Sequence, residues 1–141
     1  MTINDIFGSE YFKDRHIDNG MFYQMQKWLE FCNLNNIKNP TFLFTGCGLG
    51  HHVYVADYYG INAKGFDLEF PINNTLYKYL KDKLKVGNIT DENVLNLFDE
   101  KFDIVVIFDV LEHLNTIQEV ELALELMKQY TNKYLIVSVP V

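Results

Sequence analysis

The residues able to do chemistry in this 141-residue chain gather where apolar runs end. Phe42 to His52 reads FLFTGCGLGHH, an apolar run that breaks into three alternating glycines and then two histidines. Gly46 can take the tight turn after a strand. The missing side chains at Gly48 and Gly50 let backbone approach a ligand at the start of the following helix. The spacing G-x-G-x-G puts His51 where the dinucleotide fingerprint needs its third glycine, so a nicotinamide or flavin cofactor is the weaker reading. No G-x-x-x-x-G-K-[ST] loop is present for a nucleoside triphosphate.

Three more run ends carry polar chemistry. GFDLEFP places Asp67 twenty-one residues after Gly46, where a carboxylate can accept bonds from both hydroxyls of a ribose; Glu69 is the fallback acid. In VGNITD the Asn88 amide can donate and accept, which suits an adenine edge, although Asn is also a common turn residue. FDIVVIFDVLEHL ends in Asp109, Glu112 and His113, whose oxygen and imidazole groups could suit a divalent ion. Where a reacting group must lose a proton, Asp109 or His113 would take it. His51 and His52 are adjacent, so on a helix they diverge by about 100° and cannot easily share one ion.

The elements that must position these residues follow from periodicity. Met21, Met25, Trp28, Leu29 and Cys32 fall at helical spacing in residues 20–34, which makes a packing helix. After Pro40 the chain reads as strand from Thr41, glycine loop, and helix from His51 to Tyr59, ended by Gly60. Strands at 63–68, 84–88, 102–109 and 134–139 then alternate with helices at 72–83, 91–98 and 116–130. In the last helix Ile117, Val120, Ala123, Leu124 and Met127 form the predicted buried stripe. IVVIF is continuously apolar, as in a central strand covered on both faces, and LIVSV nearly so. Strict alternation argues a parallel sheet with right-handed crossovers.

Composition narrows the function. A length of 141 residues is one domain's worth, and 48% apolar residues with no low-complexity tract mean a chain folded throughout. A net charge of -7 without a Lys/Arg cluster disfavours nucleic acid and anionic membrane surfaces. No segment approaches the ~20 apolar residues of a membrane span and MTINDIFGSE is no signal peptide, so a cytoplasmic location is expected, with Cys32 and Cys47 as free thiols.

Taken in order, the GCGLG, GFDL, VGNITD and FDIVVIFDVLEHL motifs resemble those of the class I S-adenosylmethionine-dependent methyltransferases, over roughly Thr41 to Val139. The resemblance implies an α/β fold: a three-layer, doubly wound, Rossmann-like sheet of about five parallel strands in the order 3-2-1-4-5. Residues 1–40 would be lid and packing helices, and residues 41–141 the S-adenosylmethionine-binding core of a single domain. Gly46 and Gly48 would lie under the methionine part of the cofactor, with Cys47 and Gly50 of the same loop beside it. Asp67 would hold the ribose next to Leu68. Asn88 would face the adenine amino group, and Ile89 would pack on the ring. Asp109 would lie near the transferred methyl and the acceptor, with Asp109 and His113 as candidate bases. SEYFKDRH resembles the family's lid, which makes Tyr11 and Phe12 candidate contacts. Some relatives hold a metal in an E-x-x-E-H segment, but Asp109 replaces its first acid and no metal is expected.

The sequence also departs from the family. Phe44 stands where an acid is usual, Asn88 where Asp is usual, and the chain stops at Pro140-Val141 where relatives continue into an antiparallel hairpin. The last strand would then expose an edge for a second copy to cover in a homodimer, or the chain would be a fragment. The expected function is methyl transfer from S-adenosylmethionine to a small-molecule acceptor. The alternatives are a non-catalytic scaffold module with Phe44 filling the pocket and, less favoured, a dinucleotide-dependent oxidoreductase.

Overall fold

A computed structural model describes residues 19–140 apart from Leu49 and Pro71. Five strands, β1 (Phe42–Thr45), β2 (Ala63–Asp67), β3 (Leu84–Val86), β4 (Phe102–Phe108) and β5 (Thr131–Ser138), form one sheet in the order β3-β2-β1-β4-β5. Every neighbouring pair is parallel, as the alternation of elements requires. Helices α1 (Asn19–Leu34), α2 (His51–Tyr58), α3 (Thr75–Leu80) and α4 (Ile117–Tyr130) supply the outer layers. The predicted lid contacts Tyr11 and Phe12 lie outside the described residues.

Side chains alternate along β1 and so divide the core into two. Phe42 and Phe44 enter one cluster with Met25, Cys32, Val53 and Ala56 from α1 and α2. Leu43 enters the other, with Phe66, Phe102, Ala123 and Met127, under α4. Gly65 lies beside Phe44 in register, and an added Cβ there would press on Cys47 Sγ, 2.9 Å, and Val53, 3.1 Å. The bare backbone at Gly65 therefore lets α2 sit close against the sheet.

Caps explain the helix starts. Asn74 Oδ1 accepts from Tyr77 N at 3.1 Å to open α3, and Thr116 Oγ1 accepts from Glu119 N at 3.1 Å to open α4. The predicted helix at 72–83 is shorter in the structure, an α-helical turn and a half closed by a 3-10 turn at Lys81–Lys83, and 92–96 is 3-10 rather than α. The predicted α4 stripe is buried at Ala123 and Met127 and half-buried at Val120 and Leu124, and it differs at its two ends. Ile117 is 68% exposed, whereas Ala123, Leu126, Met127 and Tyr130 are buried. Strand β5 differs most: it begins directly after α4, at Thr131, and is an edge strand with Tyr134 and Val137 exposed, not covered on both faces.

Candidate functional site

The carboxyl ends of β1, β2, β3 and β4 open onto a cavity of about 310 Å³. Gly46, Asp67, Leu68, Asn88, Ile89 and Asp109 line it, joined by Val110, His113 and Leu114 from the segment after β4. Four sequence-separated runs thus deliver their terminal residues to one place, at the crevice where doubly wound sheets take ligands. Cys47, Gly48 and Gly50 are not among its lining residues.

The glycine loop has three different reasons for its glycines. Gly46 has φ +61°, and a Cβ on it would run into the Val110 side chain, so it serves the close passage of the β4 segment. Gly50, φ +88°, packs against Leu80 and Leu84, where a Cβ would find contacts at 3.1–3.4 Å. Only Gly48, φ +59°, faces open space, with nothing within 4 Å of an added Cβ. Of the two glycines read as cleared for a ligand, Gly48 keeps that geometry, and Gly50 is a packing residue at the start of α2.

Asp67 ties this loop to β2. Its Oδ2 accepts from Gly48 N at 2.7 Å and its Oδ1 from Leu68 N at 2.6 Å. Each carboxylate oxygen retains acceptor capacity for a further donor. Cys47 lies beneath, and burial pushes its thiol well above the ordinary cysteine range, with the Asp67 carboxylate adding to the effect. It is a protonated packing group, not a nucleophile.

Asn88 changes the expected adenine contact. Its Oδ1 accepts from Thr90 N at 2.9 Å and from Thr90 Oγ1 at 2.8 Å, which fills both lone pairs in an Asx turn. The free capacity is in the Nδ2 donors, so the side chain presents a donor to the cavity, not an acceptor for an amino group. Ile89, buried beside it, supplies apolar lining.

Asp109 is exposed and has φ +55°, a left-handed conformation that costs a non-glycine residue on the order of 1 kcal/mol or more. Its N–H is held by Ser138 O at 2.9 Å, which fixes the turn leaving β4. His113 is largely exposed, with Nε2 3.5 Å from Glu112 Oε1. No group of three or more His, Cys, Asp or Glu gathers in metal-binding geometry among the described residues.

Phe44 does not enter the cavity. It is 2% exposed on the opposite side of β1, stacked on His52 at 5.5 Å and packed near Trp28 at 5.8 Å. The suggestion that it fills the pocket is thereby corrected. The strand period aims residue 44 into the α1–α2 layer, where aromatic packing is what the position needs.

Comparison with known proteins agrees with this geometry. The profile of a methyltransferase domain matches residues 43–133. No curated protein sequence matches the chain. Among solved structures, DesVI of Streptomyces venezuelae superposes with a TM-score of 0.71 at 18% identity, over 99% of this chain and 58% of that one. An S-adenosylmethionine-dependent methyltransferase from Clostridium acetobutylicum gives 0.70 at 15% identity, over 96% and 55%. CalS10, an amino pentose methyltransferase from Micromonospora echinaspora solved with S-adenosylmethionine bound, gives 0.66 at 16% identity, over 86% and 51%. At such identities the superpositions show the fold, and the chain spans little more than half the length of each of these three proteins.

Proposed function

Because this chain belongs to the class I S-adenosylmethionine-dependent methyltransferase family, we propose that its β1–β4 cavity binds S-adenosylmethionine and that the chain takes part in methyl transfer to a small-molecule acceptor. The observation that carries this is the convergence of Gly46, the Asp67 carboxylate and the Asn88 amide on one cavity at the strand ends, with the open backbone of Gly48 held by Asp67 beside it. The residues fit the cofactor. Asp67 would take the ribose hydroxyls with its remaining lone pairs, the Asn88 Nδ2 would donate to a ring nitrogen of adenine, and Ile89 would pack on the ring. Gly46 and Gly48 would leave room for the methionine end.

When bound, S-adenosylmethionine supplies a methyl group on an electrophilic sulfonium. The protein's part is then to align an acceptor and exclude water, which needs few catalytic side chains. Asp109, at the end of β4 and on the cavity wall, is placed to orient an acceptor or receive its proton. His113, largely exposed on the same wall, is the second candidate. The acidic composition favours a small molecule over nucleic acid as acceptor. The exposed β5 edge supports self-association as part of the same proposal.

Equilibrium dialysis with S-adenosylmethionine tests the assignment of the acid. Asp67→Ala removes the ribose acceptor and releases the Gly48 N–H, so affinity should fall by at least about tenfold. Unchanged affinity would remove Asp67, and with it the placement of the ribose.

A further inference from the structure

The amide of Asn88 is held by its own chain. Its Oδ1 accepts from Thr90 N at 2.9 Å and from Thr90 Oγ1 at 2.8 Å, and its backbone carbonyl accepts from Asp91 N at 3.0 Å. The preceding Gly87 N–H donates to Asp67 O at 2.9 Å, which ties the start of this turn to β2. Asp91 repeats the pattern, its Oδ1 accepting from Asn93 N at 2.9 Å. The turn that carries Asn88 to the cavity wall is thus fixed at both ends.

These bonds decide which end of the amide is free. A backbone N–H can only donate, so the atom against Thr90 N must be the oxygen; the flipped amide would set two donors against each other. Both lone pairs of Oδ1 are then taken by Thr90, and the two Nδ2 hydrogens have no partner among the described residues. Any ligand atom that this side chain bonds must therefore be an acceptor. A carboxylate at the same position would keep a free oxygen there and call for a donor instead.

We propose that Asn88 sets the base selectivity of the cofactor site, and that this site takes a 6-oxopurine form of the cofactor as readily as the 6-aminopurine form. The proposal rests on the S-adenosylmethionine reading above and deepens it. Around C6, adenine presents an amino donor beside ring-nitrogen acceptors, whereas hypoxanthine presents a carbonyl acceptor beside the N7 acceptor. A side chain that only donates finds a partner on either base, and nothing in it favours the amino group. The other contacts of the reading are indifferent to the exchange. Asp67 would take ribose hydroxyls, and Ile89, 6% exposed, would pack on a ring face of unchanged area. Discrimination at the C6 edge therefore falls to residue 88.

The test is calorimetric titration with S-adenosylhomocysteine and with S-inosylhomocysteine, which carries a carbonyl in place of the 6-amino group, on the wild type and on Asn88→Asp. The variant keeps the turn, because one carboxylate oxygen still accepts from Thr90, and changes the free capacity at this position from donor to acceptor. The wild type should bind the two compounds within about threefold of each other. In Asn88→Asp the adenosyl compound should be preferred by at least about tenfold, since the carbonyl would lie against a carboxylate. A wild-type preference of about tenfold or more for the adenosyl compound overturns the proposal whether or not the variant folds. Binding of both compounds in a ratio that Asn88→Asp does not move overturns it alone and leaves the cofactor reading standing. If neither compound binds the wild type, the cofactor reading fails and the proposal fails with it.

Discussion

Gly46, Gly48 and Gly50 look equivalent in the sequence and are not equivalent in the fold. Gly46→Ala must push the Val110 side chain aside at a left-handed φ, so it should lower stability by more than ~1 kcal/mol, read as a fall in the denaturation midpoint. Gly48→Ala meets no neighbour, so its stability loss should stay near the ~1 kcal/mol of the backbone conformation alone. Its methyl group would stand in open space on the loop that Asp67 holds beside the cavity, and calorimetry should show a loss of cofactor affinity. Asp109 carries the complementary case. Asp109→Gly relieves a left-handed residue and should raise stability by up to ~1 kcal/mol while methyl transfer declines, a trade measured by denaturation and by a transfer assay. Asp67 and Asn88, singled out by residue type and position at run ends, both line the cavity at the strand ends. The direction of Phe44 was not legible, because alternation says that neighbours face opposite ways without saying which face holds the ligand.

At the scale of elements, the identities and order were legible and the edges were not. IVVIF in β4 is buried as its unbroken apolar run implies, because it lies between two other strands and two helical layers. LIVSV in β5 has nearly the same composition but ends the sheet, and composition cannot distinguish a central from an edge strand that is still packed on part of each face. The α4 stripe was misjudged only at its ends. Tyr130 looks like the polar end of the helix, yet its hydroxyl donates to Val94 O and accepts from Phe98 N, tying α4 to the 3-10 turn at 92–96 and the segment after it. Tyr130→Phe leaves both backbone groups buried without that partner and should cost about 1–3 kcal/mol, measured by urea denaturation. Burial also raises the Tyr130 hydroxyl above its ordinary range, so it stays protonated and able to donate through neutral pH.

For the whole molecule, the five-stranded parallel sheet brings the ends of β1 to β4 to one cavity and leaves β5 on the outside. With Tyr134 40% and Val137 44% exposed along that edge, the homodimer reading expects a mass of two chains in light scattering at micromolar concentration. Substituting Val137→Lys on the exposed edge should return it to one chain. A single-chain mass for the unsubstituted protein would remove self-association from the account. The central claim is that the first cavity is an S-adenosylmethionine site in spite of the aromatic residue at position 44. Calorimetric titration of the protein with S-adenosylhomocysteine and, separately, with NAD measures this most directly. The expected result is saturable binding of S-adenosylhomocysteine and no binding of NAD; absence of heat with S-adenosylhomocysteine at millimolar concentration, or binding of NAD in its place, would contradict it.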